Sequence, residues 1–579
     1  MMHMKNNETK ENTKGMWKRT LKIYGSMRLP FHLYIIEFVL GIVSTKVALL
    51  YMPYLSKMQT GNIIGNDTVG KYVLFVMLNV AITFVSAIPT LYADNIVIKR
   101  LQNKLLHKII RMPVKKYEQE GASELISHVT SDTEYVNQLI TSVIGFITGI
   151  VTAFMTMSEM SKLNSTLSWI IFPVTGYVIL STWLEGKLSF LSQRRLRKSY
   201  SGTMSFFAEH TGSLLNIKQL NAQDIELKLG KKAVDIMYKG DLYAAALGIF
   251  STFVSGSITS IIAIIIFTLG AANVRSGAIT IEELNTFYNL MLVAYGAVSI
   301  LPSIYTDFMR ANGTMFYVGQ MVDGKDEVYK RERGMDCPDS DITFENISFA
   351  YDERNILDKV SFTIPMGKIT AVVGENGSGK TTLFKLIERF YEPNEGMISF
   401  GDTDVSRINI DEWRKSIGYV LQNAQLFDGT IRENIAYGVE REVSDEEIMA
   451  AAAQAGAYEF INSMPEGLDF IVGDDGSRLS AGQRQRIAIA RSIMVDPSYL
   501  LLDEATSNMD IYAKEEVTRA LLRLMEGRTT VMITHDMNMV RKADHIIVLK
   551  DGSVEAQGSP EEVKKNSVTY NRLMNGGAA

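Results

Sequence analysis

A glycine-rich segment with one lysine and two threonines occupies residues 374–382, directly after the apolar run 369–373. A strand, a G-x-x-x-x-G-K-T loop and a helix in this order are typical of a phosphate-binding loop, because the glycines let backbone N–H groups surround phosphate oxygens. Lys380 is predicted to reach the β- and γ-phosphates, and Thr381 to place its hydroxyl on Mg²⁺. The predicted nucleotide-binding residues of the loop are Gly374, Glu375, Asn376, Gly377, Ser378, Gly379, Lys380, Thr381 and Thr382.

Two adjacent carboxylates, Asp503 and Glu504, follow a second apolar run at residues 499–502. Such a run is typical of a buried parallel strand. Asp503 suits the Mg²⁺ shell, and Glu504 can polarise a water that attacks the γ-phosphate. Solvated acids at the end of a strand are common on their own, so it is the preceding phosphate loop that favours hydrolysis of a nucleoside triphosphate.

These residues belong to a polar half of the chain. Short β-like runs alternate there with helical stretches, which predicts a βα-organised soluble domain over residues 341–579. The polar segment 321–340 is typical of a linker and contains Cys337, the single cysteine. One cysteine excludes a disulfide-stapled secreted protein. The net charge of −5 argues against a nucleic-acid partner.

The other half of the chain is apolar. Six stretches are near or above the ~20 residues needed to cross a bilayer: 31–53, 71–93, 137–160, 166–186, 242–272 and 281–309. The mean hydropathy of +0.05 therefore averages a membrane half and a polar half.

Positive charge alternates along the connections between these stretches. Residues 99–131 contain seven Lys or Arg and residues 187–241 contain ten, whereas the other connections contain few. Excess positive charge marks the cytoplasmic side, and buried helices of a soluble protein would not alternate in this way. The pattern predicts a six-span domain over residues 31–320, with both termini and the soluble domain in the cytoplasm. The two basic connections are predicted to be helical extensions that reverse near 113–121 and 210–216, and residues 1–30 a cytoplasmic N-terminus with an interfacial helix.

The segment 479–483 has the sequence LSAGQ, and His535 lies downstream of Glu504. Together with the phosphate loop, this set resembles the nucleotide-binding domain of ATP-binding cassette (ABC) transporters. The six spans resemble those of an ABC half-transporter of the type IV exporter kind, which includes multidrug, lipid and peptide exporters. The resemblance covers the chain from about residue 15. It implies a membrane all-α six-helix transmembrane domain followed by an α/β P-loop ATPase domain.

The resemblance also implies roles for individual residues. Tyr351 is expected to stack on adenine, His535 to contact the γ-phosphate, and Asp510 to be the D-loop aspartate. The implied catalytic residues are Glu504, His535 and Gln422, and the implied Mg²⁺ residues are Thr381, Gln422 and Asp503. The implied signature residues, which contact the γ-phosphate across a dimer interface, are Ser480, Ala481, Gly482 and Gln483.

The sequence departs from the family pattern at Ala481, where a glycine is usual, and at Asn508 and Met509, where Ala-Leu is usual. A methyl group at position 481 is expected to crowd the backbone near phosphate. No reacting group is missing, so an active ATPase is expected.

One phosphate loop and one signature in each chain imply that two chains work together. A homodimer is favoured, and a heterodimer with another half-transporter stays open. The expected function is ATP-driven export of a small amphiphilic or peptide substrate (drug, lipid or peptide) across the cell membrane by alternating access, with ATP and Mg²⁺. Two alternatives are an importer of a chelated metal or nutrient with the same fold, and an ABC ATPase module that transports nothing.

Several polar residues lie inside the predicted spans. An intramembrane charge is costly and therefore suggests function. Glu37 and Lys46 either pair with each other or face a water-filled cavity. Thr148, Thr152 and Thr156 mark one face of a helix, through close helix packing or by lining a substrate path.

Overall fold

The computed structural model describes residues 22–25, 27–61, 66–169, 171–300, 304, 307, 318–324, 326–327, 340–351, 354–506 and 509–575. Most of the predicted interfacial helix and most of the predicted linker, with Cys337, lie outside these residues, as does most of 301–317. The chain divides into two compact units. The first comprises Met1–Arg111 and Glu120–Gly324, and the second Met112–Gln119 and Lys325–Ala579.

Long helices make up the first unit, and the short helix α3 between them belongs almost entirely to the second unit. The helices up to residue 300 are α1 (Phe31–Gln59), α2 (Asn66–Ile110), α3 (Val114–Glu120), α4 (Ala122–Leu163), α5 (Ser165–Ser168), α6 (Ile171–Gly212), α7 (Leu214–Gln219), α8 (Gln223–Arg275) and α9 (Ile281–Val298). By length and composition, α1, α2, α4 and α8 can cross a membrane. Helices α6 and α9 overlap the other two predicted spans.

Helix α2 is much longer than a membrane span. Its 45 residues extend for about 68 Å at 1.5 Å per residue, against a hydrocarbon core of about 30 Å. The predicted span 71–93 is therefore one part of a helix that continues through the basic connection, as expected for a helical extension.

Many large side chains of the first unit are exposed, including Leu74 at 63% and Phe84 at 72%. Apolar side chains on the outside of a helix bundle are expected where the surroundings are lipid or a second chain. Inside, Ile258, Ile262 and Ile266 repeat every four residues along α8 and pack with Phe287 of α9. This spacing places the three isoleucines on one buried face.

The second unit contains two sheets. A four-stranded antiparallel sheet has the order β2-β1-β4-β5, and a six-stranded sheet has the order β10-β9-β3-β8-β7-β6, in which β9, β3, β8, β7 and β6 are parallel. The strands are β1 (Ile342–Ala350), β2 (Asn355–Ile364), β3 (Ile369–Gly374), β4 (Glu395–Phe400), β5 (Thr403–Asp404), β6 (Ile417–Val420), β7 (Tyr499–Asp503), β8 (Thr529–Ile533), β9 (His545–Lys550) and β10 (Ser553–Gly558). The two predicted strands, 369–373 and 499–502, are β3 and β7.

Helices surround these sheets. They are α10 (Lys380–Ile387), α11 (Ile410–Lys415), α12 (Ile431–Ala436), α13 (Asp445–Gln454), α14 (Tyr458–Ser463), α15 (Ala481–Val495), α16 (Ile511–Met525), α17 (Met537–Val540), α18 (Pro560–Asn566) and α19 (Val568–Met574). Three 3₁₀ turns lie at Val405–Arg407, Gly467–Asp469 and Asp474–Gly476.

Strand β7 shows why the larger sheet is buried on both faces. Leu500 and Leu502 belong to one hydrophobic core, whereas Tyr499 and Leu501 belong to the other. Successive side chains of a strand point to opposite faces, so an uninterrupted apolar run fills both cores at once.

Candidate nucleotide-binding site

Four neighbouring parallel strands deliver the candidate residues to one edge of the sheet. Gly374 ends β3 and Asp503 ends β7, while Gln422 and His535 each lie two residues beyond β6 and β8. Because β3, β8, β7 and β6 are adjacent and parallel, their carboxyl ends meet at the same edge, where open α/β sheets bind ligands.

The loop after β3 has the properties of an anion cradle. Gly379 precedes α10 with φ +98°, and a Cβ there would lie 2.6 Å from the side chain of Leu357. The left-handed φ favours glycine, and any other residue would also have to push the Leu357 side chain aside. Ser378 is 3% exposed, and its hydroxyl has no hydrogen-bond partner in the described part of the chain. An unsatisfied buried hydroxyl in a glycine-rich turn at a helix N-terminus fits a phosphate group.

Lys380 lies under this loop. Its Nζ donates hydrogen bonds to the carbonyl oxygens of Gly374 and Glu375 at 2.8 and 2.9 Å. Burial lowers the pKa of Lys380, and the charges of Glu504 and Asp503 oppose this shift. A partly desolvated ammonium group is thus held beside the cradle, where a bound anion would stabilise its charged form.

Glu504 is held on both sides. The Gln422 amide donates to its Oε2 at 3.1 Å, and His535 Nε2 lies 3.2 Å from its Oε1. The Glu504 backbone N–H donates to the Ile533 carbonyl at 2.9 Å, and the residue has φ +44°, which is uncommon outside glycine. Strained backbone of this kind concentrates at functional sites, and here it fixes the carboxylate between an amide and an imidazole.

Asp503, the last residue of β7, is half-buried, as is Glu504. The Tyr419 hydroxyl donates to its Oδ2 at 3.3 Å. Burial raises the pKa of Asp503, and the neighbouring Glu504 charge adds to the shift. The described residues contain no group of three or more His, Cys, Asp or Glu side chains that could hold a metal on their own. An exposed Thr381 hydroxyl and one carboxylate fit the sparse protein shell of Mg²⁺, which takes its other ligands from phosphate and water.

Tyr351 stands beside the first turn of α10. Its hydroxyl is 3.4 Å from Thr382 Oγ1, and its ring meets the Tyr391 ring edge-on at 5.1 Å between centroids. Lys385 Nζ lies 5.4 Å from the centre of the Tyr351 ring. The sequence-predicted aromatic is therefore next to the phosphate loop.

The signature residues begin a different helix. The Ser480 hydroxyl accepts from the Gln483 N–H at 3.2 Å, and the Gln483 side chain accepts from the Ser480 N–H at 2.9 Å, which is a capping box at the start of α15. Ala481 is exposed, so its methyl group is free of backbone of its own chain, and crowding near a phosphate bound between two chains stays a prediction. The position short of space is Gly482, where a Cβ would lie 3.0 Å from that of Ala513.

Asp510 caps the neighbouring helix α16, where its carboxylate accepts from the Ala513 N–H at 2.9 Å. Ser507 and Asn508 lie outside the described residues. Among the described residues, no hydrogen bond or ion pair joins 480–483 to 374–382. The structure thus brings together the phosphate loop, Gln422, Asp503, Glu504, His535 and Tyr351. It leaves the signature, of which Ser480 and Ala481 are exposed, apart from this group.

Comparison with known proteins identifies the family. A family model described as "ABC transporter transmembrane region" matches residues 35–298, and one described as "ABC transporter" matches residues 357–507. A Syntrophus aciditrophicus (strain SB) protein named "ATP-dependent lipid A-core flippase" is 30% identical over 519 residues, which cover 86% of this chain and 84% of that protein. The chain belongs to the ABC transporter family.

Two further relatives match this ABC transporter over nearly its whole length. A Lactococcus lactis subsp. cremoris (strain MG1363) "Multidrug resistance ABC transporter ATP-binding and permease protein" is 28% identical over 98% of this chain and 97% of its own. An uncharacterized ABC transporter ATP-binding protein of Bacillus subtilis (strain 168) is 29% identical over 98% and 94%. The expected architecture, a helical transmembrane region followed by a P-loop ATPase domain, is confirmed. The transporter hydrolyses ATP and couples hydrolysis to transport, which excludes an ABC module without a transport function.

Two contacts of the transporter's site were not predicted from the sequence. The buried Gln485 of α15 donates to the Leu421 carbonyl at 3.1 Å, which ties the signature helix to the segment with Gln422. Arg572, near the C-terminus, forms an ion pair with Glu375 of the phosphate loop. A buried glutamine just after the signature was the one available signal, whereas the pairing of Arg572 depends on long-range folding.

Helix α3 also contributes to the second unit, to which residues Met112–Gln119 belong. Its Glu118 carboxylate lies 2.9 Å from Lys385 Nζ and accepts a hydrogen bond from the Tyr391 hydroxyl. The predicted reversal at 113–121 therefore contacts the ATPase unit through Lys385 and Tyr391, two residues that sequence reasoning did not single out.

Proposed function

We propose that this transporter exports an amphiphilic substrate across the cell membrane, and that ATP binding and hydrolysis at a pair of ATPase domains drive the export. The observation that supports this most strongly is the position of Glu504, held by Gln422 and His535 next to Lys380 and the phosphate loop. A carboxylate so placed suits general-base catalysis on a water that attacks the γ-phosphate.

The remaining site residues have supporting roles in this proposal. Backbone N–H groups of 374–382 and the Lys380 ammonium bind the phosphates, and Tyr351 stacks on adenine. Thr381, Gln422 and Asp503 would hold Mg²⁺, which neutralises charge between the β- and γ-phosphates. His535 contacts the γ-phosphate, and its contact with Glu504 keeps the carboxylate oriented.

We further propose that each ATP-binding site is completed by the signature residues of a second chain. The signature helix begins with an exposed Ser480 and Ala481, and its N-terminus suits a phosphate oxygen. With no bond to the phosphate loop among the described residues, these groups are available to the loop of a partner. Ile511 and Tyr512, which follow Asp510, are each 83% exposed. Large side chains this exposed suit burial against another chain.

Complementation tests the shared site. A chain with Lys380→Ala and a chain with Ser480→Arg are each expected to lack ATPase activity as homodimers. Co-expressed with different affinity tags and purified as mixed dimers, they restore one intact site and up to about half of the wild-type rate. Failure of the mixed dimer, with each variant folded, would contradict a site shared between chains.

Coupling to the membrane domain follows from chain continuity. Helix α3 contacts the ATPase unit through Glu118, and it is joined directly to α2 and α4 at its two ends. Any movement of the ATPase unit that carries α3 therefore acts on two helices that can span the membrane. ATP binds the closed arrangement of the domains more tightly, which shifts the population towards it.

The direction of transport and the orientation of the chain in the membrane are inferred from the charge of the connections and from the names of the relatives. The two arginine- and lysine-rich connections favour a cytoplasmic ATPase domain. The relatives named for multidrug resistance and for lipid A-core flipping support export of amphiphiles, and neither name favours the importer.

The variant Glu504→Gln tests the function. It preserves the size of the side chain and removes the proposed base, so it is expected to bind ATP, to accumulate as a closed dimer and to hydrolyse ATP at least about 100-fold more slowly. In lipid nanodiscs, cross-linking of the ATPase domains measures the closed dimer, and phosphate release measures the rate of hydrolysis. Normal turnover by this variant would refute the assignment.

A further inference from the structure

A cavity of about 640 Å³ lies among helices α1, α2, α4 and α9 of the first unit. Of the described residues that line it, Glu37 alone is charged, and the others are glycines, alanines, larger apolar residues, serine and threonines. Of the threonine stripe noted in the sequence, Thr148 and Thr152 line this cavity. Thr156 is fully buried and donates to the Thr152 carbonyl at 2.7 Å, so it serves helix packing.

Among the described residues, Glu37 has no cationic partner. Lys46, the candidate suggested by the sequence, lies 2.9 Å from Glu159 instead. No Lys, Arg or His of the described residues lies within ion-pair distance of Glu37. The Thr90 hydroxyl lies beside the carboxylate but donates to the Ser86 carbonyl at 3.1 Å, and the Oε2 of Glu37 is buried without a hydrogen-bond partner among the described residues. An unpaired carboxylate at membrane depth is costly, so its partner is expected to be a ligand.

Two hydroxyl groups of the wall, those of Ser86 and Thr148, add acceptors rather than donors. Ser86 and Thr148 donate their hydroxyl protons to backbone carbonyl oxygens at 2.8 and 3.0 Å. Each hydroxyl has one proton and two lone pairs, so these side chains present only lone pairs to the cavity. Acceptor oxygens around a carboxylate favour a positively charged ligand.

More negative and unsatisfied polar groups lie close to Glu37. Asp94, one turn beyond Thr90 on α2, and Glu37 both lie near the hydroxyl of Tyr34, which is 6% exposed and has no hydrogen-bond partner in the described part of the chain. Asp94 is hydrogen-bonded by Asn137, whose own Oδ1 is buried without a partner. Behind the cavity wall, next to Glu37, there are therefore several polar atoms that the described part of the chain leaves unsatisfied.

We propose that this cavity binds the cationic group of an organic amphiphile, with Glu37 as its counter-charge and the apolar wall against the rest of the molecule. The inference rests on the proposed export function and narrows its substrate class to organic cations. Asp94 acts from behind Glu37 by increasing the negative potential at the same end.

A matched pair of ions tests the charge selectivity. Tetraphenylphosphonium and tetraphenylborate have nearly the same shape and opposite charge. With the full-length transporter in nanodiscs, the cation is expected to stimulate ATP hydrolysis and the anion is not. Glu37→Gln is expected to raise the half-maximal concentration of the cation at least about tenfold, which corresponds to about 1.4 kcal/mol. Glu37→Asp, which keeps the charge, restores part of the response.

Glu159→Gln is the control, because Glu159 is a carboxylate on α4 that lies outside the cavity lining and pairs with Lys46. It is expected to leave the half-maximal concentration of tetraphenylphosphonium unchanged.

An equal response of wild type and Glu37→Gln to the cation would overturn the inference. So would a change confined to the pH dependence of transport, because Glu37 would then bind a proton. A neutral amphiphile, an NBD-labelled diacylglycerol, separates the cation site from the proposed export function. If the neutral amphiphile is transported and the cation has no effect, only the cation site is overturned. If no amphiphile is transported, the export function is overturned.

Discussion

The contact of Glu118 with Lys385 and Tyr391 gives the sharpest test of how the ATPase unit is connected to the membrane helices. Glu118→Gln keeps the shape of the side chain and removes its charge. The ion pair with Lys385 is partly exposed, at 42% and 29% of the two side chains, and contributes about 0.2–1 kcal/mol. The hydrogen bond from the buried Tyr391 to a charged acceptor contributes about 1.5–3 kcal/mol. Since glutamine retains a weaker hydrogen bond, the expected net loss is about 1.5–2 kcal/mol, or about 10- to 30-fold in the docking equilibrium of α3.

The measurement is the ratio of substrate-stimulated to basal ATP hydrolysis in lipid nanodiscs. Glu118→Gln is expected to lose most of the stimulation, because α3 then follows the ATPase unit less tightly. Lys115→Gln is the matched control: it removes a charge from an exposed position of the same helix. Lys385→Met is expected to reduce stimulation as well, and the double variant to lose no more than the larger of the two effects, since both substitutions break one contact. Full stimulation of Glu118→Gln, or strictly additive effects, would refute the reasoning.

Two further predictions concern the ATPase unit. Gly379→Val places a Cβ within 2.6 Å of Leu357 at φ +98°, so ATP binding measured by fluorescent-nucleotide titration is expected to be lost, and binding near the wild-type level would contradict the close approach. Burial raises the pKa of Glu388 to about 8 from 4.5. The folded protein then holds this proton more tightly than the unfolded chain, so stability falls as pH rises from about 4.5 and levels off above about 8. Glu388→Gln is expected to raise Tm at about pH 9 and to leave it nearly unchanged at about pH 5, as followed by calorimetry, and an equal change at both values would refute the burial effect.

Much of the nucleotide site could be predicted from the sequence because its residues follow strands with a strong local pattern. An apolar run followed by a glycine-rich loop or by two carboxylates specifies both the strand and the edge at which it ends. The parallel order β3-β8-β7-β6 then places Gln422, Asp503 and His535 at the same edge. What local pattern does not encode is side-chain pairing over long distances, such as Glu118 with Lys385, which are 267 residues apart.

The membrane half was predictable in hydropathy but not in helix boundaries. The predicted span 166–186 lies mostly in a helix that runs from Ile171 to Gly212. Apolar composition marks the segment inside the bilayer, whereas the helix itself continues as long as its backbone bonds and packing allow. The choice between a Glu37–Lys46 pair and a cavity also required the structure, because the competing partner Glu159 is distant in sequence.

The most direct test of ATP-driven export is transport into inside-out membrane vesicles that contain the full-length protein. A panel of cationic, neutral and anionic fluorescent amphiphiles is added outside, with ATP or without it, to wild type and to Glu504→Gln. Wild type is expected to accumulate at least one amphiphile only when ATP is present, and Glu504→Gln is expected to accumulate none. Accumulation that does not require ATP, or equal accumulation by Glu504→Gln, would contradict a transporter powered by hydrolysis at the edge where Glu504 meets Gln422 and His535.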